Sequence, residues 1–348
     1  MRTSIGFLWL FASTFGMTLV SYGGDAPLPT PCVGVADCGI DSECRSTQAC
    51  RSCCDRGVEF YGDLMFLTRT SGTGTPFVID VPSLNPRITG SNLDSDVELG
   101  FRVGAFLEIS ECVSWEVSYM RNFWDANARA TSPTGAAQIS AGPGDAYNWA
   151  NDISVRYGSD LDNVELNRYR HISNQFSLLA GFRLAMLDES FHLRSVDDNG
   201  GGGAGLTAIG DYAIATDNDL YGLQLGAALE RECGCRLTLG SVVKAGLFYA
   251  DKSYSVDFQD AGNFPNPATA FSVQDDSAGF MGEIDLRATY RLNSWLRLRA
   301  GFEMLWLEGV ALAPAQYQFN YANINANTPL SSGGFFAYGG YCGLEAAW

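Results

Sequence analysis

The chain has 348 residues, a formal net charge of −17 at pH 7 and two histidines. It is 46% hydrophobic but only 18% charged, below the usual quarter, with 39 glycines and 12% aromatic residues. The acidic balance excludes a nucleic-acid partner, which requires a basic footprint. The glycine and aromatic content suits an all-β protein with aromatic girdles and disfavours a helical soluble enzyme.

The N-terminus reads as an export signal. Arg2 supplies the positive charge, Ile5 to Val20 is apolar, and Ser21-Tyr22-Gly23 offers small residues before a cleavage at Gly24. An uncleaved anchor is the other reading, but the stretch is short for a spanning helix, and no later segment reaches about 18 apolar residues. Six cysteines follow at once: Cys32, Cys38, Cys44, Cys50, Cys53 and Cys54. In an oxidising compartment they predict a disulfide-braced segment. Cys50 and Cys53 have metal-ligand spacing, but there is no second spaced pair or nearby histidine, so no metal and no cofactor is expected.

Beyond Cys54 the sequence alternates with period two, the mark of strands with two unlike faces. The first strand is predicted over Glu59 to Arg69. After a polar loop, Leu99, Phe101 and Val103 alternate with Glu98, Gly100 and Arg102. A turn near Ser110 leads to Val113, Trp115, Val117 and Tyr119. Further strands are predicted over Asp152 to Arg170, Phe176 to Phe191, Leu220 to Glu230, Leu237 to Tyr249, Phe280 to Leu292, Leu296 to Leu307 and Phe335 to Trp348. In the first of these a parity slip at Asp160 to Asn163 suggests a bulge. Ten strands result, joined alternately by long loops and short turns. The expectation is a transmembrane antiparallel up-and-down β-barrel, with twelve strands the alternative should Ser195 to Asp219 hide a hairpin. The domains are then 1–23 signal peptide, 24–57 Cys-rich periplasmic segment and 58–348 outer-membrane barrel. A C-terminal strand ending in Trp348 resembles the signal read by the barrel-assembly machinery, and the apolar faces point to outer-membrane lipid as partner.

Gly-centred segments of one type recur at Leu179-Ala180-Gly181-Phe182-Arg183, Lys244-Ala245-Gly246-Leu247-Phe248 and Arg299-Ala300-Gly301-Phe302. With Phe60-Tyr61-Gly62-Asp63-Leu64-Met65-Phe66-Leu67 and the stretch from Leu305 to Gln316, they resemble the beta-barrel porin family abundant in planctomycete genomes. That family is similar in style to the Legionella major outer-membrane proteins. The resemblance covers roughly Glu59 to Trp348. It implies an outer-membrane barrel and a pore, and carries over no catalytic residue.

The polar parity places Glu98, Arg102, Glu116, Arg183, Lys244, Glu283, Asp285, Arg287, Arg297, Arg299 and Glu303 on the inner face, together with Asp63, Glu108, Glu230 and Glu345. Buried charges demand water or partners. Two readings follow: an aqueous path for small solutes or ions, slightly acidic and so favouring cations, or a network of ion pairs that plugs the barrel. Ten strands lie nearer the filled eight-strand case than the sixteen-strand channel. Arg297, Arg299 and Glu303, beside Glu283, Asp285 and Arg287, are the expected constriction or plug. Acidic loops (Asp197, Asp198, Asp211, Asp217, Asp219; Asp251, Asp257, Asp260, Asp275, Asp276) suggest divalent-cation binding or simple solvation. His192 near Asp197 and Asp198 is the sole hint of an outer-rim enzyme. Cys112, Cys233, Cys235 and Cys342 map to the periplasmic side. Disulfides are expected there, some tying the Cys-rich arm to the barrel base or to a neighbouring envelope component or second copy.

Overall fold

The computed structural model describes residues 57–70, 76–81, 83–110, 112–132, 138–142, 147–148, 150–197, 208–260 and 268–347. The stretch read as a signal peptide, the six arm cysteines and Trp348 lie outside them. Thirteen strands run in chain order: β1 (Val58–Thr70), β2 (Pro76–Val81), β3 (Pro86–Thr89), β4 (Glu98–Ser110), β5 (Val113–Thr131), β6 (Gln138–Ser140), β7 (Asp152–His171), β8 (Phe176–Asp197), β9 (Ala208–Cys233), β10 (Leu237–Asp260), β11 (Thr269–Arg291), β12 (Leu296–Ala311) and β13 (Ser332–Ala347).

Ten of these close a barrel in the ring order β1-β13-β12-β11-β10-β9-β8-β7-β5-β4. Every neighbouring pair is antiparallel, and β1 closes the ring on β13 from Glu59↔Ala347 to Thr70↔Phe336. Closure leaves no open edge among the barrel strands. The other three strands form a small sheet, β3-β2-β6, built from long-loop segments. Residues 195–197 and 208–219 belong to β8 and β9, which pair directly with each other up to Asp197↔Ala208, so among the described residues no further hairpin enters the ring there.

Short turns close one end. In two of them a side chain caps the backbone: Asn293 Oδ1 accepts from the Trp295 and Leu296 amides at 2.9 and 2.8 Å, and Ser173 Oγ accepts from the Phe176 amide at 3.1 Å. At Gly234 the chain takes φ +81°, a conformation only glycine adopts without strain. Exposed Arg168, Arg170, Arg231, Arg236 and Arg291 ring this end.

The strands exceed the expected lengths. Where β9 was read as Leu220 to Glu230 it spans 26 residues, and β10 spans 24. At about 3.3 Å per residue β9 is roughly 85 Å long, whereas 9–11 residues suffice to cross a membrane. The extra length lies toward the long-loop end, and the acidic stretches assigned to loops are strand there. The cause is an inversion of faces. In β8, outward Leu178, Phe182 and Met186 give way to inward Leu187, Phe191 and Leu193. No bulge marks the change: β7 pairs without a register shift against both β5 and β8. The slip read at Asp160 to Asn163 is therefore the phase change itself. Leu161 faces inward, fully buried, and Asp160 and Asp162 face outward.

Below the inversion the barrel exterior is an apolar band. Leu223, Leu225 and Leu247 are 71%, 68% and 72% exposed. A continuous apolar belt of this size is unfavourable in water and fits lipid. Above it the exterior is polar and acidic.

Candidate functional site: a lumen filled in three tiers

The lumen is packed from end to end in layers. The tier nearest the short turns is charged, and strand register builds it. Asp63 faces Arg102, Glu165 faces Arg183, Lys244 faces Glu283 and Arg297 faces Glu345. Each is an opposite-charge pair set directly across neighbouring strands. Longer contacts then cross the lumen. Arg102 Nη1 donates to Glu303 Oε2 at 2.6 Å and Nε to Asp63 Oδ2 at 3.1 Å. Arg183 Nη1 donates to Glu283 Oε2 at 2.8 Å and Nε to Asn163 Oδ1 at 2.7 Å. Lys244 Nζ bridges Glu165 and Glu283 at 2.9 and 2.8 Å. Arg299 spans Asp63 and Glu345 at 3.3 and 3.1 Å.

Tyrosines tie the carboxylates down. Glu116 accepts from Tyr61 at 2.7 Å, Tyr169 at 2.9 Å and Asn167 at 3.2 Å, and Tyr341 donates to Asp285 at 2.7 Å. Arg299 lies over the Tyr61 ring at 4.0 Å and Arg102 over Tyr341 at 4.6 Å, within cation–π range. Both rings need glycine beside them. A Cβ on Gly104 would meet Tyr61 at 2.5 Å, and one on Gly301 would meet Tyr341 at 2.4 Å. What space remains in this tier is a cavity of about 20 Å³, lined among others by Arg102, Lys244, Glu283, Asp285 and Glu303. That is room for one water-sized species.

The middle tier is apolar: Met65, Trp124, Leu187, Phe248 and Leu305 pack in one cluster. One ion pair is set beside it, Arg69 with Glu189, both fully buried. Arg69 stacks over Phe335 at 4.3 Å, and Tyr157 donates to Glu189 at 2.9 Å. The upper tier is aromatic. Phe77, Phe191, Tyr212 and Tyr317 meet with ring centroids 5.1–5.6 Å apart.

Residues 312–317, with Ile324, pack into the upper lumen. β12 bulges at Gly309, φ +85°, where the register with β13 shifts between Glu308 and Val310, and ends at Ala311. The wall then holds the chain. Glu189 Oε2 accepts from the Ala313 amide at 2.8 Å. Asn218 donates to the Ala311 carbonyl at 3.0 Å and accepts from its amide at 2.6 Å. Tyr317 donates to the Ala141 carbonyl at 2.6 Å.

Of the residues expected on the inner face, Arg102, Glu116, Arg183, Lys244, Glu283, Asp285, Arg299 and Glu303 meet in the charged tier, four of them from the expected constriction. Arg287 and Arg297 stand at its edge toward the turns, paired with half-buried Glu230 and Glu59 at 2.9 Å each. Two residues correct the expectation. Glu98 begins β4 opposite Leu67, at the level of the apolar tier, and Glu108 is exposed, beyond the tier at the short-turn end. Glu165, Asn163, Asn167 and the three tyrosines were missed. The polar odd positions of β7 carried the signal, which the bulge assignment hid.

Other expectations also change. Cys112, Cys233 and Cys342 are free thiols. Cys342 is on the outward parity of β13, beside Leu64 and Ala300 on the neighbouring strands, so it faces the apolar band and not the turn end. Cys235, at the same turn as Cys233, is by contrast disulfide-bonded. His192 contacts Asp211 at 2.5 Å on the outer wall, whereas Asp197 is buried on the opposite, inward face. The acidic residues read as loop ligands are spread along strands, and no group able to hold a metal ion occurs among the described residues. Above the apolar band, partial burial and neighbouring Asp217 and Asp219 push the outward Asp188 carboxyl up to about 6.

Residues 68–334 match the sequence profile of the family described as "Putative beta barrel porin-7 (BBP7)". No curated protein matches the sequence. Among solved structures, the outer membrane protease OmpT of Escherichia coli aligns at 10% identity with a TM-score of 0.47, covering 84% of this chain and 97% of that one. The toluene transporter TodX of Pseudomonas putida aligns at 9% identity with a TM-score of 0.26, covering 84% and 89%. The toluene transporter TbuX of Ralstonia pickettii aligns at 10% identity with a TM-score of 0.25, also covering 84% and 89%.

Proposed function

Because the chain belongs to the beta barrel porin-7 family, we propose that it is an outer-membrane channel for small polar solutes or ions, closed in this conformation and opened by withdrawal of residues 312–317 from the upper lumen together with rearrangement of the side chains in the two tiers below. The observation that carries the reading is the charged tier. A barrel meant only to be filled is served by apolar packing, because buried ion pairs contribute little net stability over hydrophobic side chains of similar volume. A ring of cross-strand charges is instead the lining that a water path requires. The apolar band supports a lower half set in the outer-membrane lipid, and the pattern of short turns and long strands supports short turns on the periplasmic side with the long strands extending outward. The inferred export signal agrees with that location. The reading includes no catalytic step.

A second reading has its own support. The apolar and aromatic tiers stack continuously above the charged one, as in a barrel whose role is structural, with the Cys-rich arm reaching other envelope layers. Planar-bilayer recordings separate the two. Wild-type protein should be silent or open rarely, and replacing residues 313–330 with a short Gly-Ser linker should produce frequent stepwise currents. In that opened barrel, neutralising Arg299 with glutamine should raise cation preference. A linker variant that folds, shown by heat-modifiable gel migration, yet never conducts would defeat the channel reading.

A further inference from the structure

Outward charge is divided unevenly along the barrel. Above the inversion the outward positions of β7 to β10 carry acids such as Asp160, Asp188, Asp217 and Asp251. Below it, the charged outward positions on the described barrel strands are all arginine: Arg168 and Arg170 on β7 and Arg231 on β9.

Two of these three stand together. Arg168 and Arg170 are both exposed and share the outward face of β7, two residues and so about 7 Å apart. Their directly opposed neighbours are all apolar: Trp115 and Val113 on β5, Ala180 and Leu178 on β8. No carboxylate stands beside them, and neither forms an ion pair among the described residues. Higher on the wall, by contrast, Arg121 meets Asp162 at 3.7 Å and Arg129 meets Asp152 at 2.6 Å.

The pair also interrupts the apolar band. On β7 only Val164 and Leu166 face outward between Asp162 and Arg168, a stretch of about 20 Å along the strand before tilt, whereas the band of an outer-membrane barrel is about 25 Å tall. On β9 the outward run extends from Tyr221 to Leu229. A few residues from their own short-turn ends, β8, β10 and β12 present half-exposed Leu178, Leu239 and Leu298 where β7 presents arginine. An arginine at the edge of lipid is tolerated when its guanidinium reaches the headgroup layer, and two such charges side by side call for an anion there.

We propose that Arg168 and Arg170 hold the phosphate of one anionic phospholipid of the periplasmic leaflet, with Trp115 beside the headgroup and the acyl chains along Leu166 and Leu178. Guanidinium forks match phosphate oxygens, and a tryptophan at the edge of the apolar band is an interfacial anchor. A zwitterionic headgroup would set its own ammonium against the two arginines, so charge complementarity selects a lipid of net negative charge. The inference rests on the reading that the lower half lies in lipid and not on conduction, so a silent barrel leaves it standing.

The test is heat unfolding, read by gel migration, of the full-length protein inserted in vesicles of phosphatidylcholine alone or of equal parts phosphatidylcholine and phosphatidylglycerol. The wild-type midpoint should be several degrees higher with phosphatidylglycerol. R168Q/R170Q should lose most of that rise and each single variant part of it, so the site is tested even should the double variant not fold. R156Q, outward on the same strand above the inversion, should keep the whole rise, and inorganic phosphate added to phosphatidylcholine vesicles should not reproduce it. Equal wild-type midpoints in the two vesicles overturn the lipid site alone. So does a rise that persists undiminished in the folded variants, or one that inorganic phosphate reproduces. Failure to enter vesicles of either composition overturns the membrane placement as well.

Discussion

The two halves of this barrel use one wall and one alternation with opposite meanings. Toward the short turns, outward residues such as Leu223 and Leu247 are apolar and inward ones such as Lys244 and Glu283 are charged. Toward the long loops, inward Phe191, Tyr212 and Phe258 are apolar and outward Asp188, Asp217 and Asp251 are charged. The backbone does not register the change, since β7 to β10 pair continuously through it. The surroundings alone decide which face must be apolar: lipid outside the lower half, water outside the upper. The lower interior can then carry polar chemistry, while the upper half behaves as a soluble β-structure wrapped around its own loops.

Charge removal inside the lower half should have the largest effect. Arg183→Ala strips the partner of Glu283 and Glu165 in a buried site, which should cost about 3–5 kcal/mol, measured by urea unfolding in micelles. An effect below about 1 kcal/mol would mean that water reaches this tier freely and that it is not the closed layer seen here. Next comes a paired test of the exterior. Leu247→Arg in the apolar band should cost about 2–4 kcal/mol in bilayers, whereas Ser255→Arg, outward on the same strand above the inversion, should stay within about 0.5 kcal/mol. Equal costs would erase the boundary between the halves. The smallest effect belongs to Asp188. Its folded carboxyl titrates near 6, above the usual carboxylate value, so its ionised form disfavours the fold, and stability falls as pH rises toward and through 6. Asp188→Asn should therefore raise the unfolding midpoint at pH 8 and leave it unchanged at pH 4. Because the group is partly exposed and screened, the gain should be below about 1 kcal/mol.

Much of this was legible before any coordinates. Leu99, Phe101 and Val103 against Arg102, or Leu298 and Phe302 against Arg299 and Glu303, announce a two-faced strand with lipid on one side. The alternation of short turns with long connections gives the ring of ten. What misled was the assumption that one environment holds along a whole strand. Expected strand ends at Phe191 and Tyr249 and expected strand starts at Leu220 and Phe280 fall where outward polar residues mimic a loop. The bulge placed at Asp160 to Asn163 hid Glu165 and Asn167 in the same way. Charge on a strand's exterior is ordinary once the strand has left the bilayer.

The sequence alone determined the closed antiparallel barrel, its apolar belt and most of the charged residues of the lumen, because period-two alternation is a local property that lipid and pleat impose residue by residue. The tertiary structure alone decided which of those charges meet and that residues 312–317 fold back into the lumen. Cross-lumen pairs such as Arg102 with Glu303 join residues 201 positions apart. Such contacts depend on ring closure, strand tilt and the volume left between facing walls, none of which is written in any one segment of the chain.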